Sequence, residues 1–392
     1  MPSTIIFTGH MIDRVGRMPP RFPAALAPQI ARRIAEELKA AGAADGFASA
    51  ACGGDILFHE EMLKLGGRAH VTLPCAVDAF RKDCVDVIPG SDWAARFDRI
   101  LESATTVEIL GEQYASDNAM ASECCSRVLA GQAERCALQK GEEPLVIALW
   151  DGRPGDEVGG THSCVQFCIR NGYKVRLMMD LSPDAAAETR ELSPLTPGTS
   201  SAIKHAPVMD EAPQQICAVV FADAVGFSKL REREVPGFAR HYLGCAMHSL
   251  QTHEIVPLVK NTWGDGLYLV FESVRQAGLF AVDFRDRIVA TEWRQLGLSC
   301  VMNVRIAVHA GPLYRIYDPI IGQWSYTGSH VTRAARLEPS TDAGKVFASL
   351  AFVALAAAER VTDFTCRPAG HRLLVKDAGE MSVFELDRAT PA

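Results

Sequence analysis

Residues 182–215, "SPDAAAETRELSPLTPGTSSAIKHAPVMDEAPQQ", hold five prolines and no sustained apolar period. Such a stretch cannot supply a core and reads as a linker, with a short helical patch at Ala185–Leu192. It divides 392 residues into two near-equal halves. A chain of this length exceeds one ordinary core, so each half must bury its own. The expected organisation is a domain over 1–181, a linker over 182–215 and a second domain over 216–388.

The first half alternates strand and helix signals. "TIIFTGH" is an apolar strand closed by glycine, and "AALAPQIARRIAEELKAAG" is an amphipathic helix stopped by glycine. "GFASAACGGD", "AHVTLP", "TTVEIL", "PLVIALWDG" and "KVRLMMDL" are further short strands, with "ILFHEEMLKLGG" a helix between two of them. This alternation predicts a doubly wound, Rossmann-like α/β domain with a parallel sheet. Glycines at strand-to-helix turns let backbone N–H groups approach phosphate or ribose. None forms a G-x-G-x-x-G, so dinucleotide binding is not supported.

The net charge of −7 argues against a general nucleic-acid or membrane-surface binder. "MPSTIIFTGHMID" has no basic segment and only a short apolar run, so it is no secretory signal. No apolar run reaches the length of a membrane span. The expectation is a cytoplasmic protein with neither nucleic-acid nor membrane partners. Twelve cysteines at irregular spacing form no zinc-ligand pattern and read as small buried hydrophobes.

The second half mixes antiparallel strands with helices, an α+β pattern. Two of its carboxylates stand at strand ends: Asp223 in "AVVFAD" and Asp265 in "NTWGDGLYLVF". Adjacent strands could bring them together, where they repel unless a cation joins them. Hard oxygen ligands of this kind suit Mg²⁺ or Mn²⁺ bridging phosphates. "AVGFSKL" follows Asp223 with a glycine, a hydroxyl and free backbone N–H groups, the equipment of a phosphate cradle.

"VFADAVGFSKL", "NTWGDGLYLVF", "RIAVHAGPLY" and "GSHVTRAARLEP" occur in that order. The set resembles the catalytic domain of the class III nucleotidyl cyclases, with their F-x-D-[IV]-x-G-F-[ST] strand, G-D hairpin and V-N-x-A-[AS]-R helix. The resemblance spans 216–388 and implies a ferredoxin-like α+β fold. It implies that Asp223, Asp265 and the Ala224 carbonyl hold two Mg²⁺ or Mn²⁺ ions. Val225, Gly226, Phe227 and Ser228 then match the triphosphate loop, with Lys376 as a further phosphate ligand. Arg336 matches the transition-state arginine, and Thr332 stands where the family has asparagine. Asn261 and Ser325 occupy the base-reading positions and dictate no particular base. The family's site forms between two catalytic domains, and this chain has one, so a homodimer is implied. The activity implied is conversion of a nucleoside triphosphate to a 3′,5′-cyclic nucleotide and pyrophosphate. Adenylate or guanylate cyclase follows from the family at large. A pyrimidine cyclase of antiphage signalling and an inactive nucleotide-binding sensor remain alternatives.

In the first half, "FTGHMID", "AACGGDILFHEE", "VTLP", "VIALWDG" and "DGRPGDEVGGTHSCV" resemble the SLOG superfamily, which is similar to the lysine-decarboxylase-like proteins. That resemblance implies a sensing domain for a nucleotide-derived ligand, with Gly53, Gly54, Asp55, Gly159, Gly160 and Thr161 lining its pocket. Cys164 stands where the hydrolytic relatives carry glutamate, so binding rather than hydrolysis is expected.

Overall fold

The computed structural model describes residues 3–111, 114–115, 118–153, 159–178, 189–192, 213–375 and 379–389. The chain forms two compact units, with the division between Lys204 and His205.

The first unit is built on a seven-stranded sheet. Its strands are β1 (Ser3–Gly9), β2 (Ala43–Ala48), β3 (Arg68–Leu73), β4 (Thr106–Ile109), β5 (Leu145–Leu149), β6 (Lys174–Met178) and β7 (Thr189–Leu192). Their order is β4-β3-β2-β1-β5-β6-β7. The first six run parallel, the doubly wound arrangement that the alternating pattern predicts. Strands covered on both faces need no polar alternation, and Ile5, Ile6 and Phe7 in succession are all buried. The crossover helices are α1 (Ala27–Ala41), α2 (Gly54–Lys64), α3 (Val77–Phe80), α4 (Trp93–Ser103), α5 (Ala119–Lys140) and α6 (Thr161–Arg170). Strand order reverses direction at β1 and β5, so a crevice opens beyond their C-terminal ends.

One expectation needs correction. Within the stretch read as a linker, Thr189–Leu192 is a strand rather than part of a helical patch, and it pairs antiparallel with β6. The free edge of β6 offers unpaired N–H and C=O groups, and that ladder outweighs a weak local helix preference. Ala185–Glu188 lie outside the described residues.

The second unit carries an eight-stranded sheet: β8 (Gln214–Val225), β9 (Val259–Trp263), β10 (Gly266–Phe271), β11 (Asn303–Asp318), β12 (Gln323–Thr327), β13 (Val346–Ser349), β14 (Phe364–Leu373) and β15 (Glu380–Arg388). Their order is β14-β15-β13-β11-β8-β10-β9, with β12 added on β11. Pairing is antiparallel except between β11 and β13, which bears out an α+β unit. The helices are α7 (Val235–Thr252), α8 (Val274–Ala290), α9 (Ser329–Leu337) and α10 (Leu350–Ala358). α9 buries Val331 and Ala334 against Cys217, Val219, Tyr268 and Val270 of β8 and β10. No helix among the described residues is long and apolar enough to cross a membrane.

Candidate active site

The register of three central strands sets the site. Asp223 near the end of β8 lies opposite Gly266 of β10 on one side and Arg305 of β11 on the other. Trp263 pairs with Gly266, so Gly264 and Asp265 are the two residues of the hairpin turn. Gly264 has φ +64°, a first turn position that favours glycine in two-residue hairpins. Asp265 is thereby placed one residue beyond the partner of Asp223. The tip is fastened: the Ala224 N–H donates to the Asp265 carbonyl at 3.1 Å. A strand residue's N–H and C=O point to the same side, so the Ala224 carbonyl is also aimed toward Asp265. Gly226 turns the chain out of β8 into a single 3₁₀ turn over Phe227–Lys229, and Phe227 is anchored on Phe238 with ring centroids 5.1 Å apart.

The electrostatics of this corner are unusual. Burial, followed by repulsion from Asp223, raises the Asp265 carboxyl above its ordinary range, and Arg305 partly offsets this. Arg305 donates from Nη2 to Asp223 and lies 2.7 Å through Nε from Glu338 Oε1. The second contact is a short ion pair. Burial pushes the Glu338 carboxyl up to about 7. Beneath the site lies the fully buried Tyr242 of α7. Its phenol is pushed well up by burial and then by Asp223, Asp265 and Glu338, and its hydroxyl has no hydrogen-bond partner among the described residues.

The Asp223 and Asp265 carboxyls are hard oxygen donors whose repulsion the Arg305 guanidinium only partly offsets. That chemistry fits a divalent cation of the Mg²⁺ or Mn²⁺ kind. Among the described residues no three His, Cys, Asp or Glu side chains converge as a ready-made metal cluster. Two aspartates and a carbonyl leave the rest of a cation's shell to water and phosphate oxygens, the usual habit of Mg²⁺.

Comparison with solved structures finds class III adenylyl and guanylyl cyclase catalytic domains, matching the C-terminal part of the chain. The guanylate cyclase domain of RhGC from Catenaria anguillulae, solved with GTP, is 18% identical with a TM-score of 0.39, over 46% of this chain and 100% of that one. The adenylyl cyclase CyaB from P. aeruginosa is 16% identical with a TM-score of 0.39, over 45% of this chain and 96% of that one. No family model and no curated protein matches the chain. Likeness at this level assigns no residue a role.

The remaining residues singled out in the second half are distributed as follows. Thr332 and Arg336 lie one turn apart on α9, with Thr332 exposed and Arg336 half-buried. The guanidinium that bears on Asp223 and Asp265 within one chain is Arg305, not Arg336. Asn261 on β9 and Ser325 on β12 sit on strands that touch although they are not hydrogen-bonded neighbours. The Tyr268 hydroxyl ties them, donating at 2.8 Å to the carbonyl of Tyr326, beside Ser325, while Tyr268 itself pairs with Asn261. Lys376 lies outside the described residues.

α9 is also pinned at its first turn. Ser349 Oγ accepts from the Phe352 N–H at 3.2 Å and lies 2.6 Å from His309 Nδ1. His309 Nε2 lies 2.6 Å from His330 Nδ1, so one ring donates to the other. Both imidazoles are buried, and burial lowers both pKa values, that of His330 to about 3. The pair is therefore neutral, and it joins the α10 cap and β11 to the helix that bears Arg336. Sequence reading missed Arg305, Glu338, Tyr242 and this pair. Arg305 and His309 left a signal, as the polar interruptions of the apolar run "VRIAVHA".

The first unit holds a cavity of about 830 Å³ beyond the ends of β1 and β5. Asp55, Gly159, Gly160 and Thr161 line it. Gly53 and Gly54 stand behind it: a Cβ on Gly53 would lie 2.6 Å from the Ile12 nitrogen, and the Gly54 N–H donates to the His10 carbonyl. Those two glycines let the segment after β1 pass over the start of α2.

Proposed function

We propose that the second unit is a class III nucleotidyl cyclase, a phosphorus–oxygen lyase that forms a 3′,5′-cyclic nucleotide and pyrophosphate. The observation that supports this reading is the β8–β10–β11 register, in which Asp223 faces Arg305 on one side and Gly266, the residue next to Asp265, on the other. Asp223, Asp265 and the Ala224 carbonyl would hold two Mg²⁺ or Mn²⁺ ions per site. When bound, such ions acidify a hydroxyl and offset charge on the phosphates. Arg305 donates to Asp223 and holds its carboxylate in place. The backbone of Val225, Gly226, Phe227 and Ser228 offers donors to the triphosphate, with Lys376 as a further phosphate ligand. The substrate's 3′-oxygen bonds to the α-phosphorus, the bond to the pyrophosphate oxygen breaks, and the hydroxyl proton passes to solvent.

Arg336 supplies charge-assisted hydrogen bonds where negative charge develops, and Thr332 one hydroxyl toward the ribose. Because Arg305 rather than Arg336 bears on the two aspartates of its own chain, we assign Arg336 to the site of a second copy. The working unit is then a homodimer with two equivalent sites. Asn261 and Ser325 contact the base. Both donate and accept, so ATP or GTP fits the family at large, and a pyrimidine triphosphate in antiphage signalling is a second reading. The Thr332 hydroxyl in place of an amide favours a third, a nucleotide-binding sensor without turnover. The first unit we assign to a nucleotide-derived ligand that regulates the second.

Purified protein incubated separately with ATP, GTP, CTP and UTP plus Mn²⁺ or Mg²⁺ should yield one cyclic product by mass spectrometry. No cyclic product from any of the four, with infected-cell extract and candidate activators also supplied, would leave the sensor reading standing.

A further inference from the structure

The cavity of the first unit has an acid in its wall with no cation beside it. Asp55, in the first turn of α2, is 8% exposed. Its Oδ2 accepts from the Ala51 N–H at a long 3.4 Å, and no basic side chain pairs with it among the described residues. The other acids here are differently placed. Asp13 accepts the backbone N–H groups of Arg21 and Phe22 at 2.9 Å, and Asp151 takes the Arg21 guanidinium at 2.9 and 3.1 Å with His10 3.2 Å away.

Around Asp55 stand thiols: Cys52 ahead of α2, Cys84 beyond α3 and Cys125 on α5. Burial pushes Cys52 and Cys84 up to about 12 and Cys125 well above its ordinary value, so none carries charge. His59, one turn along α2, bonds the Ser49 carbonyl, and burial lowers it to about 4. Asp83 and the α6 residues His162 and Cys164 also line the cavity. Its cations are Arg14, Arg17 and Arg21 of the segment after β1, and Arg21 is engaged by Asp151.

A buried carboxylate without a cation is costly, and the group takes a proton instead. Burial raises Asp55 to about 7. In that form it is a hydrogen-bond donor. Thr161 and the first turn of α6, which has no side-chain N-cap, add donors to the same cavity, and Phe7, Phe80 and Trp150 add apolar wall. A wall of donors with rim arginines selects acceptor oxygens and negative charge.

We propose that Asp55 recognises an acceptor oxygen of a phosphorylated ligand through a proton that it carries, so that ligand binding by the first unit is tied to that proton. The inference rests on the reading that this unit binds a nucleotide-derived ligand, and it adds the chemistry by which the ligand is held.

The test is calorimetric titration of the full chain with 5′-AMP and with inorganic phosphate, at pH 6 and pH 8, for wild type and Asp55→Asn. With an acid titrating near 7, the competent fraction falls about tenfold over this range. Wild-type affinity should fall about tenfold beyond any change in Asp55→Asn, which retains the ligand's own titration. At pH 8, wild type should take up close to one more proton per ligand than the variant, read in two buffers of different ionisation heat. Binding of phosphate with the same pH dependence supports the proposal with free phosphate as the source. Binding that is equal at both pH values and lost in Asp55→Asn overturns it, making Asp55 a carboxylate that accepts from a ligand hydroxyl. If neither probe binds at millimolar concentration, the nucleotide-sensing reading of the unit fails with it. If Asp55→Asn does not fold, the wild-type pH dependence and proton uptake still decide.

Discussion

Asp55 in the first turn of α2 and Asp223 near the end of β8 are both acids placed where the two candidate sites open. Asp223 has the Arg305 guanidinium bonded to it from the facing strand. Asp55 has backbone and thiols. An acid with a guanidinium bonded to it presents its oxygens as acceptors that a metal ion can share. A buried acid without one takes up a proton and gains an O–H donor beside its remaining acceptor oxygen. The difference lies in the neighbour that the fold supplies, since the two side chains are chemically identical.

The sharpest way to break this contrast is at the charged site. Asp265→Ala and Asp223→Ala should each lower cyclic-nucleotide formation by about 1,000-fold or more, because each removes a metal ligand. Asp265→Asn should at the same time raise the melting temperature, since burial and Asp223 both oppose its charge. Full activity in either alanine variant would end the metal assignment.

The protonated site is tested by stability. Asp55 rises from 3.8 to about 7 on folding, so the folded state binds more protons than the unfolded one between those values. Its stability contribution is complete below about 4 and is lost as pH rises toward 7. Asp55→Asn should therefore exceed wild type at pH 8, by on the order of 4 kcal/mol, and match it below pH 4. Thermal melts across pH check this, and a variant no more stable at pH 8 would mean that Asp55 is charged.

A third comparison concerns the neutral histidine pair. His330 falls from 6.5 to about 3 on folding, so the unfolded state binds more protons in that window. Stability from His309 and His330 is present above pH 6.5 and declines as pH falls toward 3. His330→Ala removes the hydrogen-bond partner of the buried His309 Nε2 and should cost about 2–4 kcal/mol in urea unfolding. It should also lower kcat more than KM, by loosening α9 under Arg336. The smallest effect belongs to Tyr268→Phe, which removes one buried bond and should cost about 1 kcal/mol. If Asn261 and Ser325 share a base, that variant should also shift the ratio of KM values among the four triphosphates, whereas a uniform change would make Tyr268 purely structural.

Much of this was legible in the chain. The period of "TIIFTGH" and "ARRIAEELKAAG" forces a parallel α/β sheet, because apolar strands buried on both faces need crossover helices. "VFAD" and "WGDG" marked Asp223 and Asp265 as strand-end carboxylates. Arg305 and Glu338 were not legible as partners, because they are 33 residues apart and meet only where the turn after α9 packs on β11. Gly53 and Gly54 looked like a ligand loop, yet serve the passage of another backbone segment.

By itself, the sequence determined most of the strands and helices and which residue types reach strand ends, since local periodicity and turn chemistry decide those matters, though not β7, which exists only because β6 offers it an edge. Tertiary structure alone decided which neighbour each acid meets. Whether a carboxyl meets a guanidinium, as Asp223 does, or only thiols and amides, as Asp55 does, depends on strands brought together across long stretches of chain. Burial then fixes how strongly that neighbour counts.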